Sequence, residues 1–127
     1  MMLTGITNSD LEAILRLEVR GPAGQALVLD TLIDTGFNGY VALSRTQIAV
    51  LGLLFHSREV AELADASFTS VRRFQGVVIW QSRERDVIVV EMDGGPMIGM
   101  SLLEGTHVGI DVVDGGPVTI QPLAAPP

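Results

Sequence analysis

The sequence contains no cysteine. Disulfides and thiolate metal centres are therefore excluded, and the redox compartment is left open. Positive charge is scarce as well: Lys and Arg number 8 against 15 Asp and Glu, a net charge of −7. No basic stripe is available to neutralise phosphates, so nucleic acid is not expected as a partner, and neither is an anionic membrane surface. Histidine occurs only as His56 and His107, far apart and without ligand-spaced neighbours, so no metal site is expected. Long apolar runs are missing too. The longest, residues 48–55, is far too short to cross a bilayer. Met1-Met2-Leu3-Thr4-Gly5 carries no basic segment ahead of an apolar one, so no signal peptide is read and the expected location is cytoplasmic.

Aromatic residues make up only 5% of the chain, yet hydrophobic residues reach 47%, so Val, Ile and Leu must build the core. The length suits one domain, expected to span residues 1–127. Residues 11–20 alternate, with Ile14, Arg16, Glu18 and Arg20 set against Leu15, Leu17 and Val19, the period of a half-buried strand. Gly21-Pro22-Ala23-Gly24 reads as a hairpin turn and residues 25–33 as the returning strand. A short strand over 40–43 follows, then a helix over 45–51, capped by Ser44 and stopped by Gly52. Residues 55–63 and 68–80 read as strands around a turn at 64–67. A charged tip at 81–85 leads to a strand at 86–91. Asp93-Gly94-Gly95-Pro96 and Asp114-Gly115-Gly116-Pro117 read as two similar turns. Between them lie a small strand at 97–100, one helical turn at 102–104 capped by Ser101, and a strand at 107–113. Residues 1–7 and 118–123 are read as the first and last strands, and 124–127 as a frayed tail. Many short strands with one helix predict a mostly-β barrel or sandwich.

One stretch carries chemistry. The apolar run Ala26-Leu27-Val28-Leu29 leads to Leu32-Ile33-Asp34-Thr35-Gly36-Phe37-Asn38-Gly39-Tyr40. A carboxylate at the end of a buried strand is costly unless something binds its charge. Thr35 offers a hydroxyl, and Gly36 offers a backbone N–H with no side chain in the way. The stretch therefore reads as a carboxylate held at the mouth of a turn and available for acid–base work. The competing reading is a plain Asp-Thr-Gly turn after a strand.

The order of three pieces resembles a family. They are an apolar strand into Asp34-Thr35-Gly36, a hairpin near Leu63-Ala64-Asp65-Ala66-Ser67, and Met97-Ile98-Gly99-Met100-Ser101-Leu102-Leu103. Together they look like the retropepsin-like aspartic proteases, above all the small single-domain prokaryotic members, over residues 11–123. The resemblance implies an all-β acid-protease barrel with one short helix, working as a homodimer on peptides or unfolded protein segments without metal or cofactor. Asp34 of each of two subunits would form a shared dyad that activates water. A chain of 127 residues is too short for the two-lobed form, so the dyad would require two copies. Thr35 would link the two active-site loops, Gly36 would let substrate come close, and Gly99 would allow close packing behind the loop. Ala64, Asp65, Ala66 and Ser67 would form the flap over substrate. Residues 1–7 and 118–123 would interleave with their counterparts at the dimer interface. Flaps of this clan usually carry glycine, and none occurs between Gly52 and Gly76. An alternative is therefore a protease-like dimer that binds extended peptide segments without cutting them. A third reading is an unrelated β-barrel in which Asp34 is only a turn residue.

Overall fold

The computed structural model describes residues 1–124, so residues 125–127 of the expected tail lie outside the described residues. In chain order the elements are β1 (Leu3–Thr7), β2 (Ala13–Arg20), β3 (Ala26–Ile33), β4 (Val41–Leu43), α1 (Arg45–Leu51), β5 (Leu54–Glu62) and β6 (Phe68–Trp80). They continue with β7 (Arg83–Glu91), β8 (Met97–Ile98), α2 (Met100–Leu103), β9 (Thr106–Ile110) and β10 (Pro117–Pro122).

Alternation along β2 decides which way the sheet faces. Ala13, Leu15, Leu17 and Val19 are buried, while Ile14, Arg16, Glu18 and Arg20 turn outward. β3 pairs antiparallel with it, Ile14 opposite Leu32 and Arg16 opposite Asp30. From there the strands run β3–β8–β4–β7–β6, and β6 closes back on β2 through Val19 opposite Val78 and Arg20 opposite Val77. The result is a closed barrel of six strands, in which β3–β8 and β4–β7 are parallel and the rest antiparallel. Its interior holds Leu43, Val41, Val78, Val89 and Ile98, all fully buried, with Trp80 also inside. Each such aliphatic side chain contributes about 1.5–3 kcal/mol by leaving water. The buried Thr31 satisfies its hydroxyl on the Leu15 carbonyl at 2.6 Å.

α1 forms where its caps require. Ser44 accepts the Gln47 N–H, Gln47 returns a bond to the Ser44 N–H, and Gly52 ends the helix in a left-handed conformation with φ +63°. Ile48 and Leu51 pin it to the core. Outside the barrel, β1, β10 and β9 extend the sheet beyond β2. Among the described residues no helix is long and apolar enough to cross a membrane.

Several local expectations shift. The tip at 81–85 contracts to Gln81 and Ser82, with φ of +52° and +65°, because a two-residue turn with both residues left-handed matches the twist of paired strands. The strand at 97–100 ends at Ile98. Gly99 then caps α2, and Ser101 lies inside that single turn, its hydroxyl donating to the Asn38 carbonyl rather than capping residues 102–104. β9 stops at Ile110 because Thr7 gathers the following loop: its hydroxyl donates to the Asp111 carbonyl at 2.9 Å and its N–H to the Gly116 carbonyl at 2.8 Å. The largest difference concerns the chain ends. β1 and β10, expected to interleave with a second subunit, pair with each other inside one chain, Leu3 opposite Ile120.

Candidate active site

Asp34 is the first residue past β3, and three contacts fix its backbone. Its N–H donates to the Ile98 carbonyl at 3.0 Å, the Leu32 N–H to the Pro96 carbonyl at 2.9 Å, and the Asp34 carbonyl accepts the Phe37 N–H at 3.2 Å in a tight turn. The side chain is held as well: the Gly36 N–H donates to Asp34 Oδ1 at 2.8 Å. Thr35 and Gly36 are exposed, and among the described residues the Thr35 hydroxyl makes no hydrogen bond within the chain.

Gly99 locks the loop from behind. It is buried, its N–H donates to the Tyr40 carbonyl at 3.0 Å, and the next two amides continue the grip, Met100 to Phe37 at 2.8 Å and Ser101 to Gly39 at 3.2 Å. A Cβ at Gly99 would lie 2.5 Å from the Phe37 carbonyl oxygen and 2.6 Å from the Phe37 ring. Only a bare Cα admits this approach. Tyr40, at the far end of the loop, stacks under the Arg85 guanidinium at 5.4 Å.

Strand parity explains where the carboxylate looks. Thr31 and Ile33 face the core, so Leu32 and Asp34 face out. Ile14 and Met97 lie opposite Leu32 on its two neighbouring strands, and all three are half-buried. They form an apolar shelf beside the carboxylate. The signal in the sequence for this shelf is the outward apolar Leu32 two residues before Asp34.

Ala64, Asp65, Ala66 and Ser67 are brought together at the tip of the β5–β6 hairpin, and all four are exposed. The Leu63 N–H donates to the Ser67 carbonyl at 2.7 Å, and Ala66 takes the left-handed position, φ +65°, where a glycine would be free of strain. The Ser67 hydroxyl, and secondarily its N–H, hold the Asp65 carboxyl below its ordinary value. Below Arg73 the hairpin joins the barrel through β7, whereas residues 68–72 pair only with β5. The outer half therefore stands free of the barrel and presents Val60 and Phe68, each 69% exposed. At its base, the Arg72 guanidinium donates to both oxygens of Glu91 at 2.6 and 2.7 Å. Arg72, aided by the charges of Arg45 and Arg58, holds the Glu91 carboxyl below its ordinary value. Nothing in the local sequence pattern points to this clamp, which joins side chains on two different strands.

A groove of about 550 Å³ opens on the outer face of β6 and β7, lined by residues including Arg20, Tyr40, His56, Asp86 and Ile88. Asp34 is not among its walls; it is half-buried at the end of β3. Among the described residues no group of three or more His, Asp or Glu side chains comes together in a way that could hold a metal ion.

No protein-family model matches the chain, and no curated protein matches it in sequence. Among solved structures, the chain is similar to a retropepsin-like aspartic protease from Rickettsia conorii, with a TM-score of 0.59 and 17% identity, over 98% of this chain and 93% of that one. Over nearly its whole length the chain has the retropepsin-like fold.

Proposed function

We propose that two copies of this chain form an aspartic endopeptidase in which Asp34 of each copy supplies half of the catalytic dyad. The observation that carries this reading is the pose of Asp34: on the outward face just past β3, half-buried, with one oxygen held by the Gly36 N–H, within a fold shared with an aspartic protease. A fold alone does not fix an activity, so the reading rests on that site.

Two carboxylates facing each other cannot both ionise cheaply, so the pair holds one proton between them. The ionised member takes a proton from water, and the water oxygen attacks the peptide carbonyl carbon. The protonated member donates to the carbonyl oxygen as charge develops there. Collapse of the tetrahedral species returns a proton to the leaving nitrogen, and the C–N bond breaks. The free Thr35 hydroxyl supports a role in linking the two loops, since it has no partner in one chain among the described residues. The Ile14–Leu32–Met97 shelf suits apolar side chains of an extended segment, and the β5–β6 hairpin offers strand edges for its main chain.

A second reading, a dimer that binds peptides without cutting, is favoured by Ala66, because a non-glycine residue in a left-handed tip stiffens the flap. One experiment separates the two. An unstructured peptide library is scanned from about pH 3 to 7, where such dyads titrate, with wild type beside Asp34→Asn and the mass of each recorded. Cleavage by a wild-type dimer that vanishes in a folded, dimeric Asp34→Asn is the expected result. A folded dimer that retains peptides intact selects the second reading.

A further inference from the structure

Two cross-strand rows lie side by side on the outer face of β6 and β7. In one, Arg20 of β2 and Asp86 of β7 stand on either side of Val77. In the other, Leu54 of β5 and Ile88 of β7 stand on either side of Gln75. All six line the outer groove of about 550 Å³, and Tyr40 and His56 join them. That volume falls in the range of about 300–1,000 Å³ typical of small-molecule sites.

The floor of the groove is apolar. Val77, Ile88 and Tyr40 are half-buried, and Leu54 is exposed beside them. At residues 75 and 77, β6 has a strand on each side, so this part of the groove offers no free edge to an extended peptide. Recognition falls to the side chains.

The charges decide what kind of ligand fits. Arg20 donates to two carboxylates, Glu18 and Glu84, so its corner holds no surplus positive charge. The His56 ring is engaged with the Ser57 hydroxyl at 2.8 Å. Arg85 stacks on Tyr40, but it gives its N–H to the Leu102 carbonyl at 3.2 Å and is not a wall of the groove. Asp86 has no ion-pair partner among the described residues. The unanswered charge of the groove is therefore negative, on a chain of net charge −7.

We propose that this groove binds a small organic cation, an amine carried on an aliphatic or aromatic body. Asp86 takes the ammonium group, and Val77, Ile88 and Leu54 take the apolar part. Neither Asp34 nor the Ile14–Leu32–Met97 shelf is among the walls, so the inference stands apart from the protease reading.

Phenethylamine and hydrocinnamate test this, because they share an apolar body and differ in the sign of their charge. Each is titrated into isotope-labelled protein while amide NMR shifts are followed. The expected result is saturable shifts at residues 75–77 and 86–88 with the amine, at a dissociation constant of about 1 mM for so small a ligand. Hydrocinnamate should bind roughly 10-fold more weakly, and folded Asp86→Asn should weaken the amine by about 3–5-fold, the scale of an exposed ion pair. Ile88→Lys is the second variant. It places a built-in ammonium two residues from Asp86 on the same face and should abolish saturation by the amine. Asp34→Asn should leave the amine's affinity unchanged. An amine that gives no saturable shift up to about 20 mM overturns the proposal. So does an acid that binds equally well, or a folded Asp86→Asn that binds the amine undiminished. Shifts confined to residues 34–40 that vanish in Asp34→Asn overturn it as well, since they put the amine on the other carboxylate.

Discussion

Gly99→Ala is the substitution whose cost can be worked most closely from the geometry. The φ of Gly99 is −121°, so alanine meets no backbone penalty there and the whole effect is steric. The new methyl would sit 2.5 Å from the Phe37 carbonyl oxygen and 2.6 Å from its ring, well inside ordinary contact. Neither neighbour is the free end of a flexible chain. Phe37 O accepts the Met100 N–H at 2.8 Å and Gly39 O accepts the Ser101 N–H at 3.2 Å, so retreat of the loop stretches both bonds. Overpacking costs about 1–3 kcal/mol, and weakening two hydrogen bonds adds about 0.5 kcal/mol each, for a total of about 2–4 kcal/mol. At an unfolding entropy of about 2.1 cal/mol/K per residue, a chain of this length loses roughly 4 °C in Tm per kcal/mol, or about 8–15 °C in all. Differential scanning calorimetry of Gly99→Ala beside Gly24→Ala reads this out. Gly24 has φ +85° and open space around its Cβ, so its alanine costs only the left-handed strain, about 1–2 kcal/mol. A Gly99→Ala protein that melts within 2–3 °C of wild type, or above Gly24→Ala, would refute the claim that Gly99 clamps the loop. Cleavage measured below the melting range should fall about 100-fold, because the Asp34 N–H hangs on Ile98 beside the displaced residue and a 1 Å misplacement of a catalytic group has that scale.

Other outcomes follow from single contacts. Arg72→Gln should destabilise at neutral pH and much less in acid. The Glu91 carboxyl is depressed in the folded state by Arg72, so its stabilisation is present above the ordinary Glu value of about 4.3 and disappears as pH falls through the lower folded value; the Tm difference between the two proteins should shrink as the pH is lowered beneath the ordinary Glu value. Ala66→Val should lower stability by about 1–2 kcal/mol, because a β-branched side chain fits poorly at φ +65°, and amide exchange at residues 64–67 should quicken. Thr7→Val removes the hydroxyl that holds the Asp111 carbonyl in a fully buried setting; a loss of about 1 kcal/mol is expected, with faster exchange in residues 111–116.

What the sequence revealed, and what it hid, divides along one physical line. Local pattern reports burial, so the alternation of β2 and the capping signals of Ser44 and Gly52 delivered their elements nearly to the residue. Pattern does not report the identity of the neighbour. Nothing in residues 77–78 announces that they close the barrel on Val19 and Arg20, and nothing in residues 117–122 says that β1 and β9 fill both edges of β10. Arg72 was hidden for the same reason, its partner Glu91 being 19 residues away on another strand.

Asp34 lies on both sides of that line. The motif marks it, and parity along β3 marks the face it looks from, since Leu27, Leu29, Thr31 and Ile33 alternate inward. On that outer face the even positions are mixed, Asp30 lying opposite Arg16 while Val28 is apolar and exposed. Leu32 is apolar too, but unlike Val28 it is half-buried, lying beside Ile14 and Met97 and next to a carboxylate. Such a strip is what the proposed function needs, a place for the apolar side chains of an extended segment beside Asp34. That half-buried apolar strip beside Asp34 is as informative as the buried face, because it is the surface on which the proposed function depends.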